Sequence, residues 1–454
     1  MSSIRRELLE LIVKPDEAFN MPSADLAPLQ LQAAQELLDE KYEKIPLLRK
    51  RADDAGVDRI RSFDDIVPLL FAHTVYKSYP QSFFDQGRWD RMLQWLQTIS
   101  VQKVTDVDVS GVTNVDEWIE RLHDAGHMVL ATSGTSGKVS FLNHTRGDQE
   151  MKKRHFRYAV GWPLVDMVNS AQRPMFWLGP ARGPNSAIES HVINSANFGK
   201  AGAIYALTEE PLRIGDVSKA ASLRKRMSEG TAEPREIEAL QTHNAAKAER
   251  AQAAMRKIAD MILDMRHEPI YVAGLWAQHM VVMERARERG IPDGDFHPAT
   301  VIQAGGGVKG VALPPDYQEQ VDRFYGKVIR PGAYRMTEMA QMLPRCEAGR
   351  YHRAAGQIIL PLDASGEKLL KPGSVANGAV EARMAFLDLG YEGRWGGTIT
   401  GDKVTIDFSD RCPCGRHGPT ILDNITRFAQ QPGENDHIGC AGTIDSYVRG
   451  MVNA

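Results

Sequence analysis

From about residue 124 onward, short apolar runs bounded by glycine or proline recur between longer helical patterns: 127–134 (HMVLATSG), 174–180 (PMFWLGP), 202–207 (GAIYAL), 270–276 (IYVAGLW) and 299–307 (ATVIQAGGG). Each run is too short for a helix and too apolar for a surface loop, so it reads as a buried strand. A chain that alternates such strands with amphipathic helices buries both by laying helices on a sheet, which predicts an α/β layer architecture. Upstream, 28–56 spaces Leu, Ala and Tyr at three and four residues and closes on Gly56, the pattern of amphipathic helices. Residues 219–267 are dense in charge and alanine, broken near Gly230 and Pro234, and read as a solvated helical hairpin. From Gln357 the runs GQIILPL, GAVEARMAFLDLG and GGTITGDKVTIDF are separated by turn residues, which predicts a β-rich subdomain. The expected organisation is a helical region over 1–105 packed on the core, an α/β core over 106–355 with its charged insertion at about 215–267, a β-rich subdomain over 356–430, and a hinge-like tail over 431–454.

Charge and composition narrow the function classes. Lys plus Arg (55) nearly balance Asp plus Glu (58), so the net charge of −3 offers no uniform field for a nucleic acid. No stretch reaches the 18 or so uncharged apolar residues of a membrane span, and the N-terminal apolar face is interrupted by charges, so the expectation is a soluble, cytoplasmic chain without a signal peptide. Four cysteines are too few for a disulfide framework and point instead to a metal site or a reactive thiol.

The densest local signal is Thr132-Ser133-Gly134-Thr135-Ser136-Gly137-Lys138, which follows the apolar run 128–131. A strand that opens into small hydroxyl residues and glycines can wrap a phosphate with backbone N–H groups while a lysine adds charge. It is not a Walker A loop, because Gly134 stands three residues before Gly137 rather than five and Val139 follows Lys138. A solvated turn is the alternative that the heptapeptide alone leaves open. Gly305-Gly306-Gly307-Val308-Lys309-Gly310 formally matches G-x-G-x-x-G, but the next helix starts only after Pro314 and Pro315, which argues against a dinucleotide-binding fold.

Two further segments, Tyr334-Arg335-Met336-Thr337-Glu338 and Thr398-Ile399-Thr400-Gly401-Asp402, follow the first loop in order. Together the three resemble the phosphate loop, the Tyr-Gly-x-Thr-Glu segment and the Thr-Gly-Asp segment of the adenylate-forming superfamily. The phenylacetate–CoA ligase branch and its acyl-protein synthetase relatives are most similar, with support from 46–68, the Gln303 to Gly307 run and Cys412-Pro413-Cys414-Gly415-Arg416.

That resemblance implies the large N-terminal domain of an adenylate-forming enzyme, which uses ATP and Mg²⁺ to turn a carboxylic acid, aryl or acyl, into an acyl-adenylate, releases pyrophosphate, and passes the acyl group to CoA or another nucleophile. Residues 132–138 would hold the β- and γ-phosphates, with Lys138, Thr337 and Glu338 serving catalysis. Tyr334 would stack on adenine, Gly305, Gly306 and Gly307 would pass beside it, and Asp402 would accept the ribose hydroxyls with Arg427 facing the ribose. Thr337 would bond the α-phosphate and Glu338 would ligate Mg²⁺. Phe176, Trp177, Trp276 and His279 would flank the acyl pocket, though such residues are more often plain core packing. Cys346, His352, Cys412 and Cys414 would close a structural zinc site, against the alternative of buried thiols and a surface histidine. Arg335 stands where the family has glycine. After the hinge-like residues Asp436 to Asp445 only nine remain, so the resemblance implies that the family's small domain has no room. Either another polypeptide or Lys138 and its neighbours would serve in its place, or the enzyme would run a modified cycle; a homodimer is a further expected partner. Three rival readings follow: an acyl-protein synthetase using Cys440, a non-catalytic nucleotide-binding subunit, and a dinucleotide oxidoreductase. The run Lys152-Lys153-Arg154-His155 reads as a solvated helix face.

Overall fold

A computed structural model describes residues 3–133, 138–228, 230–306, 313–371, 378–430, 436 and 438. The chain divides into two compact units, one formed by 1–132, 139–163 and 333–454, the other by 133–138 and 164–332.

The second unit is built on a parallel sheet in the order Gly199–Thr208, Arg173–Pro180, Tyr271–Leu275, Val301–Gly305. All four strands coincide with apolar runs of the sequence. The two inner ones, Arg173–Pro180 and Tyr271–Leu275, are largely buried, and a strand covered on both faces tolerates no polar alternation, while the edge strand Gly199–Thr208 is exposed or half-buried along nearly all its length. Register places Trp177, Ala273 and Gln303 in one row, and Phe176, Val272 and Ile302 in the next. Successive residues face opposite sides of a sheet, so the second row enters the apolar layer formed with Met255, Ile258, Ile262, Met283 and Phe324. The charged stretch forms two helices, Ile214–Ser228 and Pro234–Asp264. It is not a solvated hairpin throughout, because Met255, Ile258, Ala259, Ile262 and Leu263 are buried and cover the sheet. Their spacing of three and four residues makes one apolar face that the many charges conceal in a composition count.

In the first unit the N-terminal third is helical, as its periodicity predicts. Ser23–Lys41 and Pro46–Ala55 are its main helices, the latter stopped by Gly56 in the left-handed conformation at φ 64°. The β-rich segment forms a sheet in the order Arg350–His352, Thr420–Leu422, Gly397–Asp407, Ala379–Asp388, Gln357–Leu362. Phe71–Ala72 and Thr426–Arg427 also pair with Gly397–Asp407. This long strand therefore holds neighbours from both ends of the sequence. Between the pairs Arg383↔Lys403 and Ala385↔Ile399 the register shifts, so Thr400, Gly401 and Asp402 stand opposite Met384 alone. The Thr-Gly-Asp segment is a β-bulge, a device that re-aims a side chain out of the regular pleat. No helix among the described residues is long and apolar enough to cross a membrane.

Candidate functional site

The bulge presents Asp402 to two partners. Tyr334 Oη donates to Asp402 Oδ2 at 2.8 Å, and Arg427 Nε lies 3.1 Å from Oδ1, delivered by the strand pairing Asp402↔Arg427. Thr400 fixes the bulge by donating its hydroxyl to Met384 O at 2.7 Å and accepting the Asp402 N–H at 3.1 Å. A Cβ at Gly401 would stand 2.8 Å from the Asp436 carboxylate, so a side chain there would push that carboxylate aside. Tyr334 is buried against the core of the β-rich sheet, and burial, with the Asp402 charge beside it, pushes its phenol well above the usual range. It is a fixed donor.

Thr337 and Glu338 follow in a loop between Ala333–Tyr334 and Leu343–Pro344, with Thr337 buried and Glu338 half-buried. No described residue other than glycine has positive φ, so the backbone at Arg335 is not one that only glycine could adopt. Arg335 itself is exposed, its guanidinium 5.9 Å from the Phe156 ring centroid.

The candidate phosphate loop connects two paired strands, Leu130–Ser133 and Val139–Leu142, and Tyr79 Oη anchors the second by donating to Val139 O at 2.9 Å. Thr132 and Lys138 are half-buried at its ends, while Gly134, Thr135, Ser136 and Gly137 lie outside the described residues, as do Gly307 and Cys440. Gly305 ends its strand and Gly306 has φ 79°, where a Cβ would meet Leu275 at 2.5 Å.

The four acyl-pocket candidates separate. Phe176 and His279 are fully buried; Phe176 packs in the apolar core, and His279 Nδ1 is 2.9 Å from Tyr325 Oη, with burial lowering the imidazole to about 4. Trp276 is partly buried against Tyr317. Trp177 lies on the other face of the sheet, stacked on His191 at 5.4 Å with its indole donating to Pro180 O.

Cys346, His352, Cys412 and Cys414 place one ligand atom each within 4.8 Å of all the others. Cys346 Sγ and Cys412 Sγ are 3.9 Å apart, and Cys414 Sγ is 3.6 Å from His352 Nε2. A tetrahedral zinc with Zn–S near 2.3 Å and Zn–N near 2.0 Å has edges of roughly 3.8 and 3.5 Å, so the donor set fits that ion. Burial lowers His352 to about 4, which keeps its imidazole neutral as a ligand must be. The three described cysteines form no disulfide.

The basic run 152–155 is a solvated face only at Lys153 and Arg154. Lys152 and His155 are buried, Lys152 Nζ lying 3.4 Å from His144 Nε2 and His155 Nε2 lying 3.3 Å from Met342 O. Asp148, Lys152, His155, Phe156 and Ala159 recur at three and four residues on the buried face of helix Arg146–Ala159, a signal the charge count masked. Sequence reasoning also missed the buried residues Asp388 and Arg394, which touch the Thr337–Glu338 loop.

This combination, a helix-covered parallel sheet and a β-rich sheet whose bulged strand presents Asp402, defines the fold of the large domain of the adenylate-forming ligases. The particular likeness is to 2-hydroxyisobutyryl-CoA ligase. Its open conformation with 2-HIB-AMP and CoA matches with a TM-score of 0.56 and 12% identity over 92% of this chain and 79% of that one. Its postadenylation state with 2-HIB-AMP matches with a TM-score of 0.52 and 13% identity over 89% and 68%. At this identity the likeness is one of fold. No protein-family model and no curated protein matches the chain.

Proposed function

We propose that this protein is an ATP- and Mg²⁺-dependent ligase that activates a carboxylic acid, aryl or acyl, as its adenylate, releases pyrophosphate, and passes the acyl group to CoA or another nucleophile. One observation carries the reading. Tyr334 and Arg427, brought from separate segments, converge on the bulged Asp402 within the unit that also carries Thr337 and Glu338, in a chain with the adenylate-forming fold.

The chemistry suits such residues. A carboxylate is already ionised near neutral pH, so attack on the α-phosphate needs no general base. The barrier lies in bringing two anions together in line, which demands fixed geometry and positive charge. An ionised Asp402 has only acceptors, so it takes both ribose hydroxyls once Arg427 swings from Oδ1. Tyr334 holds Asp402 and walls the adenine, which the Gly305–Gly307 run passes; Thr337 bonds the α-phosphate, and the 132–138 loop with Lys138 takes the outer phosphates. Glu338 offers a hard carboxylate oxygen to Mg²⁺, which supplies charge neutralisation when bound. With Phe176 and His279 committed to the core and Trp276 packed against that same core, Trp177, on the other face of the sheet, remains as an acyl-pocket wall. The solved 2-hydroxyisobutyryl-CoA ligase is bound to both an acyl-adenylate and CoA, which supports CoA as acceptor. Cys346, His352, Cys412 and Cys414 would hold a structural zinc, and cysteines kept reduced for that purpose suit a reducing compartment such as the cytoplasm.

ATP–pyrophosphate exchange across aryl, alicyclic and fatty acids tests the reading. Acid-dependent exchange is expected, and its absence across a broad panel with ATP binding intact would favour a nucleotide-binding subunit instead.

A further inference from the structure

The loop that carries Thr337 and Glu338 is gripped by the turn that follows strand Ala379–Asp388. Arg394 Nη2 donates to Glu338 O at 2.6 Å, and Tyr391 Oη lies 3.5 Å from Thr337 O. The N–H groups of Ala340 and Gln341 both donate to Asp388 Oδ2, at 2.8 and 2.9 Å, and the Gln341 amide donates to Oδ1 at 2.9 Å. Peptide groups on both sides of the Glu338 side chain are thus tied to one turn.

That turn is itself held from several directions. Lys41 Nζ donates to the carbonyls of Tyr391 and Arg394, each at 2.5 Å, and the Asp148 carboxylate accepts the N–H groups of Glu392 and Gly393 at 2.6 and 3.2 Å. At Gly396, φ is 88° and a Cβ would lie 2.3 Å from Asp388 O, so only glycine closes the turn.

Arg394 is a costly way to fill this space. It is 1% exposed, and its Nε and Nη1 have no hydrogen-bond partner among the described residues. Its guanidinium lies instead 3.8 Å from the Tyr391 ring centroid and 5.3 Å from that of Tyr76. An apolar residue of similar volume would fill the same space without burying a charge. What it would not provide is a donor to Glu338 O and a positive charge near the Glu338 carboxylate.

We propose that Arg394 and Asp388 are positioning residues that fix the Thr337–Glu338 peptide so that the Glu338 carboxylate and Thr337 hydroxyl meet magnesium-bound ATP. The functional half of this proposal rests on the acid-activation reading; the positional half does not. Displacing a catalytic group by about 1 Å costs on the order of 100-fold in rate. Arg394→Met should therefore raise the half-saturating Mg²⁺ concentration in pyrophosphate exchange about tenfold and lower kcat by ten- to 100-fold, with KM for the acid unchanged; Arg394→Lys should recover part of both. The control is Gln30→Met, which removes buried hydrogen bonds to Ala355 O and Gln357 O without touching the loop, and it should leave the Mg²⁺ requirement unchanged.

Hydrogen exchange of the peptide covering residues 337–345 reads the positional half without any activity. It should quicken about tenfold in Arg394→Met and not in Gln30→Met. Unchanged exchange in Arg394→Met overturns the positioning claim. Faster exchange with an unchanged Mg²⁺ requirement overturns its functional half, as does an equal rise in the requirement in both variants. If the wild-type protein shows no acid-dependent pyrophosphate exchange, the acid-activation reading fails with that functional half, and hydrogen exchange alone decides the positional one.

Discussion

Tyr334 and Asp402, 68 residues apart in the chain, share a hydrogen bond of 2.8 Å inside one unit of the protein. Replacing Tyr334 by Phe removes the donor and leaves Oδ2 of a mostly buried carboxylate unpaired. Arg427 cannot take its place, since it lies at Oδ1 with nearly half its side chain in solvent. The expected loss is about 1–3 kcal/mol in denaturant unfolding. Wild-type stability in Tyr334→Phe would mean that Arg427 alone satisfies Asp402. Asp402→Ala should weaken ATP binding by more than tenfold, measured calorimetrically, if the carboxylate receives the ribose.

Asp436 is held at the β-rich sheet by two partners. Its carboxylate accepts from Arg383 at 2.8 Å and lies 3.0 Å from His73 Nε2, and Arg383, with its side chain fully buried, also stacks on Phe428 at 4.0 Å. Burial acts to raise the Asp436 carboxyl, but the hydrogen bonds and charges of His73 and Arg383 outweigh it and hold the group well below its ordinary range. A depressed carboxylate stabilises the fold fully above its unfolded value near 4, and that contribution is lost as pH falls below it. Asp436→Asn should cost about 1–3 kcal/mol at pH 7 by removing the charge that Arg383 and His73 face, while Arg383 keeps its bonds to Ala364 O and Thr400 O. The gap should narrow below about pH 4. Thermal unfolding from pH 3 to 7 checks this; a gap that does not narrow would show that the carboxylate charge is not what holds Arg383.

Lys41 gives a slope of the same sign in a higher pH window. Burial, then the nearby charge of Arg5, lowers its ammonium to about 7. An unfolded lysine titrates near 10.4, so between these values the unfolded chain binds more protons and stability rises with pH. Unfolding free energy should climb from pH 7 to 10 more steeply in the wild type than in Lys41→Met. Parallel slopes would show that the amine stays charged in the fold.

Metal analysis of the purified protein should find about one zinc per chain, and Cys412→Ser should lose most of it along with stability of the β-rich sheet. Zinc retained at the wild-type level in that variant would reject the four-residue set.

The four strands of the parallel sheet and the three long strands of the β-rich sheet were legible in the sequence as apolar or alternating runs bounded by turn residues. The short strands Phe71–Ala72, Arg350–His352, Thr420–Leu422 and Thr426–Arg427 were not, because two or three residues carry no periodicity. Tyr334, Asp402, Cys412 and Cys414 were legible as motif residues, and Gly56 as a helix stop. The burial of Lys152 and His155 could have been found from their spacing with Asp148 and Phe156, had charge not been read as solvation. The partners of Asp388 and Arg394 carried no such signal, since neither residue belongs to a motif and the loop they hold begins some fifty residues upstream.

By itself, then, the sequence determined which longer segments are strands, which helix faces are apolar and where the chain turns, because these depend on residues within a few positions of one another. Only the tertiary structure decided that Thr400, Gly401 and Asp402 form a bulge, that Arg427 reaches Asp402, and that Arg394 grips Glu338. A buried polar group must find its hydrogen bond wherever the packed chain offers one. That partner is set by how the strands register and the loops close, and no local pattern of residues records it.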